Sequence, residues 1–132
     1  MLFVNHYIIE QQIYKNFQYT ICFNYSGCFT AYIDVSNTPL KCLPYMSIDL
    51  DVWGGLSFGD HKYPWDEHAD SNKWIIGWDY AHADDAIELN MIKTIFGKTP
   101  LYIFTSLGTK HHTVPEIRQE CKNAIEQIIK MV

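Results

Sequence analysis

Residues Phe17 to Asn24 alternate strictly, with Phe17, Tyr19, Ile21 and Phe23 on one side and Gln18, Thr20, Cys22 and Asn24 on the other. A period of two is that of a strand with one buried face, and no helix can present it. Tyr25-Ser-Gly27 follows as a hairpin turn, and Cys28 to Val35 is the return strand. A chain with this hairpin near its start is committed to an antiparallel sheet.

The remaining segments extend that sheet and then leave it. Met1 to Asn16 is readable as a short helix or a leading strand. Ile48, Leu50 and Val52 alternate with Asp49 and Asp51, predicting a strand that feeds Gly54-Gly55. Gly59 to Asn72 reads as a polar loop, and Lys73 to Tyr80 as a central strand. Asp84 or Asp85 is placed to cap a helix from about Ala86 to Phe96, ended by Gly97. Leu101 to Ser106 is strand-like. Thr113 with Glu116 forms a capping box, and Pro115 sits in the first turn of a C-terminal helix. Ile117, Cys121, Ala124, Ile125 and Ile128 form its apolar stripe. The expectation is a single α+β domain over 1–132. It has a mostly antiparallel twisted sheet built from hairpins, one mid-chain helix and a C-terminal helix.

Composition narrows the function classes. The formal net charge is −5, which disfavours binding of a nucleic-acid polymer. Arg118 is the one arginine, so no arginine cluster grips phosphate. Cys22, Cys28, Cys42 and Cys121 lack CxxC spacing, and four buried, reduced thiols are expected. Cys22 and Cys28 flank the turn, which leaves a pairing between them open. Met1-Leu-Phe-Val is too short for a signal peptide or a membrane span, so no membrane association and a cytoplasmic location are expected.

Chemistry concentrates in two glycine- and aromatic-rich segments, Asp51 to Gly59 and Trp74 to Asp85. Trp53, Phe58 and Trp78 offer flat faces, and Gly54 and Gly55 offer close backbone approach and an anion nest. A bulge in the sheet accounts for the glycines equally well. Trp74, Ile76 and Trp78 share one strand face, with Ile75, Gly77 and Asp79 on the other. Trp78 is thus open between core and base stacking, while Trp74 fits the core. Asp79, His82 and Asp84 have side chains suited to a metal, with His61 and His68 in one nearby loop. A solvated loop also explains His61, His68 and the pair His111-His112. Ser57 matches a G-x-S-x-G spacing but is not followed by the helix that such an elbow needs.

Several segments together resemble a family of small phage and prophage proteins. Its signature contains a cysteine strand, a His-Gly-Gly-Leu-Thr-Tyr segment, a Trp-Gly-Phe-Asp-x-x-His-x-x-Asp segment and a terminal helix. The matching segments here are Cys22, Ala31-Tyr-Ile-Asp-Val35, Thr38-Pro-Leu40, Trp53-Gly-Gly-Leu-Ser-Phe58, Ile76-Gly-Trp-Asp-Tyr-Ala-His-Ala-Asp84, and Glu116 to Ile128. Trp53 and Thr38 stand where that signature carries histidines. Loss of those ligands, with the glycines and aromatics kept, favours binding over hydrolysis.

The resemblance extends to Thoeris anti-defence sponges, which sequester cyclic ADP-ribose isomers and sometimes cyclic oligonucleotides. It implies a counter-defence protein that captures a small nucleotide signal without cleaving it. No cofactor is implied. Trp78 or Phe58 would stack on a base, and the Gly54 and Gly55 N–H groups with Arg118 or Lys73 would meet phosphates. Asp79 or Asn90 would bond ribose or base edges, with Trp53 and His82 also in the ligand site. A homo-oligomer would enclose the ligand. The competing expectations are a metal-dependent phosphodiesterase using Asp79, His82 and Asp84, and an inhibitor that binds a host protein.

Overall fold

The computed structural model describes residues 1–99 and 108–132, so the strand expected over Leu101 to Ser106 lies outside the described residues. Five strands form one antiparallel sheet in the order β1-β2-β3-β5-β4. They are β1 (His6–Tyr14), β2 (Phe17–Asn24), β3 (Phe29–Asp34), β4 (Phe58–Asp60) and β5 (Ile75–Asp79). With these strands, the described residues form two helices, α1 (Leu89–Phe96) and α2 (Val114–Met131), which makes the fold α+β. No described helix is long and apolar enough to cross a membrane.

The first segment is therefore a strand, not a helix. Lys15 and Asn16 take φ of 48° and 70°, the conformation of a two-residue turn whose twist matches the strands it joins. At the next corner the Gly27 N–H donates to the Asn24 carbonyl at 3.0 Å. The Asn24 side chain accepts from the Ser26 and Cys28 N–H groups.

The expected alternation holds for pairing but not for burial. Thr20, on the second face of a strand read as half-buried, is as buried as Ile21 and Phe23, and Cys22 beside it is the buried thiol expected. The reason is a roof over the second face. Tyr63 and Trp65 stack at 4.9 Å and pack with Phe58 on Tyr32, Cys22 and Ile75. The segment read as a polar loop thus begins as β4 and continues as this aromatic cover. Gly77 sits beneath it because a Cβ there would lie 2.6 Å from the Tyr32 ring and 2.7 Å from the Ala31 carbonyl.

The opposite face carries the main core. Tyr19, Ile21, Phe23, Ala31, Ile33, Ile76 and Trp78 meet Ile117, Cys121, Ala124, Ile125 and Ile128 of α2. Thr113 caps the helix as predicted, its Oγ1 accepting from the Glu116 N–H at 3.3 Å, but the Glu116 carboxylate meets the Thr113 hydroxyl at 3.3 Å in place of the main-chain bond that would complete a capping box. At the start of α1 the expectation fails. The N-cap is Glu88, with no side-chain capping bond, and the helix begins at Leu89. Asp85 is instead held by other partners.

Ile48, Leu50 and Val52 do not form the expected strand. They are buried in the core, but their segment pairs with no neighbour and follows a 3-10 turn at Tyr45–Ser47. Side chains of α2 take the place of a partner strand. The Asp51 N–H donates to Gln127 at 2.8 Å, and the Trp53 N–H donates to Glu120 at 2.9 Å. Alternation reports which side chains are buried, not what satisfies the main chain.

All four cysteines are free thiols, and Cys42 is exposed rather than buried. Cys22 lies across from Thr30 in the ladder, so the possible pairing with Cys28 does not occur. Burial pushes the Cys22 thiol up to about 11.

Candidate functional site

β5 ends at Asp79, and the chain then turns through Tyr80 and His82 to Asp85. Three elements converge there: this turn, the Val52-Trp53-Gly54 segment and the N-terminal half of α2. Asp85 is the hub. Its carboxylate accepts from Trp53 Nε1 at 3.0 Å and from the His82 N–H at 3.0 Å, and pairs with His112 Nε2 at 2.6 Å. The Asp85 and His112 side chains are 1% and 6% exposed. Burial works to raise the Asp85 pKa. The hydrogen bonds from His112, the His82 N–H and Trp53 outweigh it, so the carboxyl titrates below its ordinary value.

A second chain of bonds runs alongside. Trp78 Nε1 donates to the Tyr80 hydroxyl at 3.0 Å, and that hydroxyl donates to Glu120 Oε1 at 2.9 Å. The same Oε1 accepts the Trp53 N–H, so Oε2 keeps its acceptor capacity. The His112 ring lies between Trp53 and Tyr80, with centroid distances of 4.9 and 4.6 Å. These contacts fix the half-buried Trp53 indole on both its polar and its apolar edges.

Beside Trp53 opens a cleft of about 370 Å³, walled by Asp51, Trp53 and Gly54 on one side and Glu120, Asn123 and Gln127 on the other. Its volume falls in the lower range for small-molecule sites. Its polar lining is carboxylate and carboxamide. Gln127 is engaged with both main-chain groups of Asp51. Asn123 Oδ1 accepts from Gln119, leaving the amide N–H₂ for another partner.

Gly54 has a φ of +69°, and a Cβ there would lie 2.0 Å from His82 Nε2. Only glycine lets the imidazole close over this corner. His82 Nε2 is then 3.5 Å from Asp79 Oδ1, and Ser57 Oγ donates to Asp79 Oδ2 at 2.7 Å. The aspartate lies between the serine and the histidine, so the imidazole is not placed to take the serine proton.

The structure brings together Trp53, Gly54, Asp79 and His82, as the sequence suggested, and separates the rest. Trp78 is 1% exposed and packed in the core, so neither ring face is open for stacking. Phe58 belongs to the aromatic roof on the other sheet face. Arg118 is turned to β1 and makes a two-pronged ion pair with Glu10 at 2.8 and 2.7 Å. The Gly55 N–H is spent on the Val52 carbonyl at 2.9 Å, which dismantles the expected anion nest. Lys73 lies at the far end of β5, where its carbonyl meets His61 Nδ1 at 2.8 Å. Asn90 is exposed on α1.

Asp84 is exposed and does not join Asp79 and His82. Among the described residues no three His, Cys, Asp or Glu side chains converge in a metal-binding arrangement. His68 stays in solvent, 91% exposed beside Glu67.

Two members of the network, Tyr80 and Glu120, were not singled out by the sequence, and Asp85 and His112 stood only among the His and Asp residues whose side chains could suit a metal. His112 was expected in solvent next to His111, which does lie exposed against Glu88. A signal existed, because His112 directly precedes the capping threonine. The residue before an N-cap commonly turns inward to pack on the helix's first turns.

Comparison with protein-family models, with curated proteins and with solved structures finds no match for this chain. The fold and the site are described by what they contain: an α+β domain with a polar cleft at one end of its sheet, walled by a tryptophan held by Asp85 and His112.

Proposed function

We propose that this chain is a binding protein that holds a small nucleoside-type ligand in the Trp53–Glu120 cleft and releases it unchanged. The observation that carries the reading is the fixed Trp53 indole. Asp85 and His112 hold the ring, and Glu120 holds the Trp53 main chain, beside a cleft whose free polar atoms are mostly acceptors. Preorganised aromatic walls bind planar groups at low entropic cost. Acceptors suit ribose hydroxyls and exocyclic amines.

The same lining sets the polarity of the ligand. Asp51 and Glu120 repel phosphate, Arg118 is engaged elsewhere, and the chain is acidic. Recognition then runs through sugar and base rather than through phosphate. The specific form of the proposal is sequestration of a cyclic ADP-ribose isomer or related nucleotide immune signal, in a phage-type counter-defence role. The Asp79–His82 contact is the feature that would instead serve hydrolysis, and the test separates the two.

The experiment is incubation of the protein with cyclic ADP-ribose isomers, ADP-ribose and cyclic dinucleotides, with chromatography of the supernatant before and after heat denaturation. The expected result is depletion of one compound and its intact recovery on denaturation. Trp53→Ala, checked for folding by circular dichroism, should abolish depletion. Recovery of a cleaved product, or no depletion across the panel, would overturn the reading.

A further inference from the structure

We propose that a second copy of this chain adds its β1 to the open half of the β1 edge. The result is one continuous antiparallel sheet with a two-fold axis at Gln12. β1 is an outermost strand of the sheet, and its two halves differ. The first half is closed by the chain's own start. Met1 and Ile8 exchange two main-chain bonds at 3.0 and 2.9 Å, and the Phe3 N–H donates to the His6 carbonyl. A register shift between Ile8 and Glu10 ends this cover.

Beyond the shift no described residue pairs with the edge. Tyr14 and Phe17 close the two-residue turn as a bonded pair, so bonded and unbonded pairs alternate back from there. Gln12 therefore points its main-chain groups at Tyr19, while Gln11 and Ile13 point theirs outward. Among the described residues no turn, loop or terminal main-chain bond reaches Gln11 or Ile13. Edges are ordinarily guarded by charge, proline or a covering segment. Gln11-Gln12-Ile13 carries no charge, and the Ile13 residue is 74% exposed.

The chemistry of this edge selects a strand, and its pattern selects an identical one. A two-fold axis at Gln12 sets Gln11 opposite the second copy's Ile13, and Ile13 opposite its Gln11. Each pairing joins outward-facing main-chain groups to outward-facing ones. Open grooves of about 310 and 420 Å³ flank the strand, one along Gln12, Tyr14 and Arg118 and the other along Gln11, Ile13 and Gln18. Side chains on both faces of an added strand thus have room. Charge also permits self-association there. Glu126 and Glu10 pair with Lys15 and Arg118 within each copy, so little unpaired charge is left at this end to oppose an identical one.

The test is sedimentation of the full chain and of two edge variants, with circular dichroism to confirm folding. The wild-type chain should be a concentration-dependent dimer. Ile13→Lys places a charge on the edge, and Ile13→Pro removes one outward donor without touching the β1–β2 ladder. Each should weaken association by at least about tenfold. In a Cys42→Ser background, Gln12→Cys should form a disulfide-linked dimer on mild oxidation. Unbonded antiparallel partners lie roughly 4.5 Å apart at Cα, within disulfide reach. A wild-type chain that stays monomeric, a dimer unmoved by both Ile13 variants, or no cross-link at Gln12 would each overturn the proposal.

Discussion

Replacing Asp85 with alanine tests the physical core of the site. The carboxylate is 1% exposed at the side chain and serves Trp53 Nε1, the His82 N–H and His112 Nε2. Truncation leaves these donors inside the protein without that acceptor. An unsatisfied buried donor costs about 1–3 kcal/mol, and removing one member of a buried pair costs about 3–5 kcal/mol. Relaxation lets the His82 N–H reach water, since that side chain is 40% exposed. The expected loss is therefore about 3–5 kcal/mol, a large share of the roughly 5–15 kcal/mol that stabilises a domain. A chain of 132 residues should lose on the order of 10–15 °C in Tm. Urea unfolding, followed by far-ultraviolet circular dichroism and by tryptophan fluorescence, measures the change. The double-mutant cycle with His112→Ala should show a coupling of about 1–3 kcal/mol, because both changes remove the same contact. A destabilisation by Asp85→Ala below about 1 kcal/mol, the ordinary size of a neutral hydrogen bond, would refute the assignment of Asp85 as the hub.

The other predictions address the corner, the ion pair and the pH response. Gly54→Ala forces a side chain into a positive-φ position and displaces His82; it should cost about 1–2 kcal/mol and shift the His82 ring resonances while leaving the far sheet edge unchanged in NMR spectra. Arg118→Ala breaks a half-exposed pair with Glu10, so a loss of about 1 kcal/mol or less in urea unfolding and no change in ligand retention are expected. Loss of retention in that variant would restore a phosphate role for Arg118. Asp85, Glu10 and Glu126 all titrate below their ordinary values in the folded chain. The unfolded chain then binds more protons, so stability is full above the ordinary carboxylate range and is lost as pH falls from that range through the lower folded-state values. Acid unfolding curves should show this limb, and Asp85→Asn should flatten it.

The parts of the fold legible in the sequence were those written by local periodicity and capping. β2, its turn and the apolar stripe of α2 follow from spacings within about eight residues, and Thr113, Pro115 and Glu116 mark a helix start wherever they occur. The Trp53-Gly54 corner and its neighbour His82 were legible because paired glycines among aromatics announce close approach. Their partners were not. Asp85 looked like a helix cap, and only the return of the chain before α2 brings His112 to it. Arg118 looked like a free cation, and only the sheet places Glu10 against it across the molecule. Ile48, Leu50 and Val52 carried a strand's alternation without a strand, because α2 side chains satisfy the main chain there. The burial of Thr20 was not legible, because nothing near it in sequence foretells the Tyr63–Trp65 roof.

Periodicity is a property of a segment, so the sequence alone determined which segments extend or coil and which of their faces are apolar. Hydrogen-bond partners and burial on the second face of a sheet are properties of segments meeting, over separations that carry no local signal. The tertiary structure alone therefore decided that Trp78 is core, that Trp53 walls a cleft, and that Asp85 rather than Arg118 is the charge on which the site is built.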